Sequence, residues 1–164
     1  MKIIINDIQN KEVYPLIIKN HGIEYLTLFY YTETDDCILH SDTHLVRFND
    51  YDQLISFCQE NDLTIADDTS TYDFDSKVIA PTDYSDVLNR WNLLNTISNI
   101  FRMYFEGNDK KYDSVYDLLF RYSTSITELP QAVTFNEKTN RQLLKVFKKK
   151  DRLINRFAYY DQLS

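Results

Sequence analysis

From Pro81 onward, apolar residues recur every three or four positions, whereas most of the preceding chain carries short β-branched and aromatic runs. This change of period constrains the fold more than any other feature, because a helix-period pattern does not settle into a sheet. The runs "KIII", "VYPLIIK", "IEYLTLFYYT", "CILH" and "HLVRF" read as strands separated by Asn, Asp, Gly or His. Within residues 25–31, Leu26, Leu28 and Tyr30 share one face, and Tyr25, Thr27, Phe29 and Tyr31 the other. Both faces are largely apolar, which predicts an interior strand covered on two sides. "NHG" at 20–22 predicts a hairpin turn with Gly22 at positive φ. One amphipathic helix follows, with Tyr51, Leu54, Ile55 and Cys58 inward and Asn49 or Asp50 as its cap. Two short strands are predicted after it, around "LTIA" and "KVIA", with "ADDTSTYDFDSK" (66–77) lying between them.

In the helical half, Val87, Trp91, Leu94, Ile97, Phe101 and Tyr104 form one stripe, with Asp83 or Ser85 as cap and Gly107 as the terminating residue. A shorter helix turns Tyr112, Val115, Tyr116 and Leu119 inward, and Pro130 breaks the chain. A third, from "NEKTN" to "FAYY", turns Leu143, Leu144, Phe147, Ile154 and Phe157 to the core. Strands first and helices afterwards predict an α+β fold: an N-terminal, mostly antiparallel sheet with about three C-terminal helices packed against it. A length of 164 residues predicts one domain, 1–164, β-rich over 1–80 and helical over 81–164.

A hydrophobic fraction of 43% and an aromatic fraction of 15% suffice for a packed core and exclude general disorder. The opening "MKIII" is too short for a signal-peptide core, and "YLTLFYY" is too short to span a bilayer, so a cytoplasmic protein is expected. Cys37 and Cys58 are expected to be reduced and packed. The net charge of −7 argues against nucleic acid and anionic membranes as partners and is compatible with a basic protein. Charge is also segregated. Residues 33–86 carry fourteen acids against Arg47 and Lys77, and residues 137–156 carry eight cations against Glu137 and Asp151.

Catalytic signatures are sparse. With only Gly22 and Gly107 in the chain, neither a Walker A loop nor a dinucleotide fingerprint can be assembled. No G-x-S-x-G or H-E-x-x-H occurs, and "DDTSTYDFD" lacks the spacing and glycine of a calcium loop. A non-enzyme without cofactor is expected. The alternative is a metal-binding domain or metal-dependent enzyme using Cys37, His40, Asp42 and His44: on a strand, the last three share a face, while a turn at Ser41–Asp42 separates them. The acidic stretch itself suits a basic partner. Asp67, Asp68, Asp73 and Asp75 would meet its Lys and Arg side chains, with Tyr72 and Phe74 as aromatic anchors.

"RWNLLNTISNIFRMYFEGNDKKYDSVYDLLF" (90–120), with "ELP" at 128–130 and a charged final helix, resembles cytoplasmic immunity proteins of bacterial polymorphic and contact-dependent inhibition toxins. Trp91, Leu94, Ile97, Phe101, Gly107, Tyr112, Tyr116, Leu119 and Phe120 carry the likeness. The resemblance implies a non-catalytic, one-to-one inhibitor of a cognate toxin domain, in many cases a nuclease with a basic active site. It implies no particular binding residues.

Overall fold

The structure is a computed structural model that describes residues 2–5, 7–76, 84–124 and 137–163. The fold is α+β, and the chain divides into two compact units, Met1–Asp75 with Ile154–Ser164, and Ser76–Leu153. The predicted strand "KVIA" and the Pro130 break lie outside the described residues, as do Asp83 and "ELP".

The first unit holds two sheets. One runs β1 (Ile3–Ile4), β5 (His40–Ser41), β6 (Leu45–Arg47), β9 (Phe157–Tyr159). The other is built on β2 (Glu12–Asn20) and β3 (Ile23–Tyr31), flanked by β4 (Asp36–Ile38) on the β3 side. On the β2 side lie β7 (Thr64–Ile65) and β8 (Ser70–Asp73), both parallel to β2. As expected, β3 is interior to its sheet. The β2–β3 hairpin closes through His21 and Gly22, at φ 52° and 72°, the doubly positive pair that matches strand twist in a two-residue turn. The helix α1 (Tyr51–Glu60) is capped by Asp50, whose carboxylate accepts the Gln53 N–H at 2.8 Å. Its buried face is Leu54, Phe57 and Cys58, whereas Tyr51, expected inward, is 42% exposed. These residues pack with Val13, Leu28, Tyr30, Leu39, Val46, Phe48 and Leu163 in one core.

Two stretches depart from the predicted elements. The acidic segment is not merely a loop between strands, since residues 70–73 form β8 along β2. "FAY" does not extend the last helix; it forms β9, parallel to β6. Local aromatic chemistry favours this ending: the Arg47 guanidinium lies 4.6 Å from the Tyr25 ring centre and 4.4 Å from that of Tyr159. Phe157 also stacks on Tyr25 at 4.8 Å.

In the second unit α2 (Tyr84–Phe101) is buried on most of its circumference, including Val87, Trp91, Leu94 and Ile97 of the predicted stripe. The stripe stops early, because Tyr104 is 61% exposed and the helix ends at Phe101. Arg102, not Gly107, takes the left-handed conformation at φ 52°, and the Met103 N–H returns to the Ser98 carbonyl at 2.9 Å. Gly107 serves a different purpose: a Cβ there would lie 2.6 Å from the Phe105 ring and 2.7 Å from Trp91 Nε1. The single indole is held edge-on by Phe105, Tyr116 of α3 (Asp113–Thr124) and Phe147 of α4 (Glu137–Phe147). The buried Arg90 is neutralised by Asp86 at 2.8 Å and donates to the Ser76 carbonyl. The predicted third helix is two, α4 and α5 (Lys150–Ile154). Leu143, Phe147 and Ile154 are buried as expected, and Leu144 is exposed. The last described element is the single turn α6 (Tyr160–Leu163), tied to α1 through Gln53 and Asp161.

Candidate binding surface

Proline in a strand interrupts the edge it faces, and Pro15 sits in the middle of β2. Backbone groups of Val13 and Lys19 point to the β7–β8 side, where their carbonyls accept the Ala66 and Phe74 N–H groups. By the two-residue period Pro15 faces the same side and has no N–H to offer. Pairing breaks at that point. Ile65 is opposite Val13 and Ser70 opposite Leu16, so residues 66–69 pass only Tyr14 and Pro15. The surplus chain bulges outward and carries Asp67 and Asp68 into solvent.

Beside this bulge one face of the sheet is aromatic. Register places Tyr14 opposite Phe29, and Tyr31 opposite Asp36, on the face that also carries Leu16, Ser70 and Tyr72. The rings of Tyr14, Phe29 and Tyr31 meet edge-on, with centres 5.1 to 6.5 Å apart. Together with Pro15, Leu16, Ser70 and Tyr72 they line a cleft of about 90 Å³. Tyr31 is 43% exposed, and Tyr14, Phe29 and Tyr72 are half-buried. The expectation that β3 is covered on both faces therefore fails at this end. Desolvation, and then the neighbouring Glu12 carboxylate, raise the Tyr14 hydroxyl above its ordinary pKa. Asp36 is likewise raised, first by burial and then by Asp35.

The residues singled out in 66–75 divide into three groups. Asp67 and Asp68 are exposed and make no hydrogen bond or ion pair among the described residues. Tyr72 lines the aromatic cleft. Asp73, Phe74 and Asp75 serve the fold. Phe74, just past the end of β8, is 5% exposed, so the reading of it as an interface anchor is corrected: it shares the face of Tyr72 by alternation, but its ring is buried and offers a partner almost no surface. The Asp75 carboxylate accepts the His21 and Gly22 N–H groups at 2.6 and 3.0 Å, closing the hairpin turn. Asp73 in turn accepts the Asp75 N–H at 2.9 Å.

Cys37, His40, Asp42 and His44 are not brought together. Among the described residues no group of three or more His, Cys, Asp or Glu is placed to hold a metal ion. Ser41 and His44 close a turn by backbone pairing, which separates Asp42 from the strand positions its neighbours occupy. His40 Nδ1 lies 2.8 Å from the Ser41 carbonyl, and His44 Nδ1 lies 2.8 Å from the Thr43 hydroxyl. Burial outweighs the Tyr30 and Ile38 hydrogen bonds to raise the Cys37 thiol, and burial lifts Cys58 to about 11. Both thiols thus resist ionisation in the metal-free chain. Alkylation at pH 8 should proceed at Cys58 on the order of a hundredfold more slowly than at a free cysteine, with Cys37 also retarded. Mass spectrometry of the native and the denatured chain checks this: Cys58 labelling in the native chain at the denatured rate would show the burial to be wrong.

No protein-family model matches the chain, and no curated protein matches it. Among solved structures, the C-terminal domain of SatS, crystallised in complex with bromine, is similar at 14% identity with a TM-score of 0.59. The similarity covers 92% of this chain and 95% of that chain. At that identity it is a likeness of fold. Among the described residues no helix is long and apolar enough to cross a membrane.

Sequence reasoning missed Glu12, Tyr14, Phe29, Tyr31 and Asp36 as surface residues. Pro15 carried the available signal, since a proline inside an alternating run marks an interrupted edge.

Proposed function

We propose that this chain is a non-catalytic cytoplasmic inhibitor, an immunity protein that binds one cognate bacterial toxin domain and blocks it. The observation that carries the reading is the open aromatic end of the β2–β3 sheet, bordered by Glu12, Asp36, Asp67 and Asp68. Rigid aromatic side chains within a carboxylate rim have the composition of interface hot spots, and the rim steers encounter with a basic protein. A toxin that grips phosphate through Lys and Arg, as a nuclease does, has the complementary charge. The likeness over residues 90–120 supports the same reading from the second unit, where Trp91, Leu94, Ile97, Tyr112 and Leu119 are buried. Those residues speak for shared packing; the aromatic face speaks for the partner.

The test begins with tagged chain recovered from producing cells under washes of rising salt, followed by assay of the co-purifying protein in a susceptible host. One basic protein, toxic alone and silenced at a one-to-one ratio, is the expected result. Silencing at far lower ratios would indicate turnover and overturn the blocking mechanism, and a harmless partner would overturn the immunity reading.

A further inference from the structure

Resting on the inhibitor reading, we infer that the cleft among Tyr14, Phe29, Tyr31 and Tyr72 receives a single arginine side chain presented by the partner protein. Its size selects the occupant class. A cleft of about 90 Å³ has room for a guanidinium head and is far below the volume of a site for a drug-sized ligand. Its walls select the charge. Ring faces attract a cation, arginine more often than lysine, because a planar and weakly hydrated guanidinium stacks on them. Tyr31 lies directly opposite Asp36 on β4, and continuing the β2–β3 register past Val13 and Tyr30 brings Glu12 to its other side. A guanidinium on the Tyr31 ring therefore has a carboxylate from each neighbouring strand within reach for charge-assisted hydrogen bonding. The chain already does this internally, since Arg47 sits over Tyr25 and Tyr159 at 4.6 and 4.4 Å and donates to the Glu24 carbonyl at 2.9 Å. The bulge carrying Asp67 and Asp68 lies beside the same cleft and adds attraction without filling it.

The experiment titrates N-acetyl-arginine amide into the full chain, with N-acetyl-norleucine amide as an apolar control, and reads the ring resonances of Tyr14, Phe29 and Tyr31 by NMR. Saturable, salt-sensitive shifts with the arginine compound alone are expected. Tyr31→Ala should weaken the response about tenfold and Tyr31→Phe should retain it, as expected for a ring-face contact on an exposed side chain. Glu12→Gln with Asp36→Asn should weaken it as well and flatten its salt dependence. Equal shifts with norleucine would make the cleft an apolar contact and overturn the inference, as would the absence of any saturable shift. A chain that silences its toxin yet ignores arginine overturns this inference and leaves the inhibitor reading intact. Saturable arginine binding by a chain that silences no toxin does the reverse.

Discussion

Trp91→Ala should cost about 3–5 kcal/mol of stability, the range for emptying a buried indole site. Trp91 is 2% exposed and its ring meets three others, from Phe105, Tyr116 and Phe147, in the second unit. The loss should appear in chemical denaturation followed by far-UV circular dichroism, with a melting temperature lower by on the order of 10 °C. Trp91→Phe retains an aromatic plug and should recover much of the loss. Gly107→Ala tests the same site from the opposite direction. Its methyl would press on Phe105 and Trp91 Nε1 at 2.6 and 2.7 Å, an overpacking that costs about 1–3 kcal/mol. Combining the two should cost less than their sum, because the alanine methyl moves into space the indole vacates. Strict additivity, or a Trp91→Ala cost below about 1 kcal/mol, would contradict the packing described.

Some of this was legible in the amino-acid order and some was not. The hairpin at 20–22, the Asp50 cap and the interior position of β3 follow from local chemistry, and each is present. Gly107 was read as a helix terminator, yet Arg102 ends the helix while the glycine relieves a crowded indole. No local rule distinguishes those two uses of a glycine, because the second depends on Trp91, sixteen residues earlier in the chain. "RFAYY" matched a helical stripe, and it became a strand because β6 offers a free edge and Arg47 a cation between Tyr25 and Tyr159. Those partners lie more than a hundred residues away in sequence. Composition alone singles out the acidic stretch. Composition cannot say which of its carboxylates point to solvent and which hold a turn.

That division gives the second large effect. Asp67→Lys with Asp68→Lys reverses charge on exposed side chains that make no other interaction among the described residues. Stability should stay within about 0.5 kcal/mol of the parent. If the proposed function holds, association with the toxin domain should slow about 10- to 100-fold at low salt, and the rates of variant and parent should converge as salt screens the rim. Stopped-flow measurement across ionic strength reads both numbers. The pair Asp73 and Asp75, equally acidic in sequence, should behave differently. Asp75→Lys removes the charged acceptor of two exposed backbone N–H groups of the β2–β3 turn, leaving them to water, and should cost about 1–2 kcal/mol before any partner is added. Protection lost with that variant would report a loosened hairpin, whereas protection lost with the Asp67 and Asp68 variant would report a missing attraction. An unchanged association rate and salt slope in the latter would remove the bulge from the binding surface. The aromatic cleft would then have to recognise its partner without electrostatic steering from its edge.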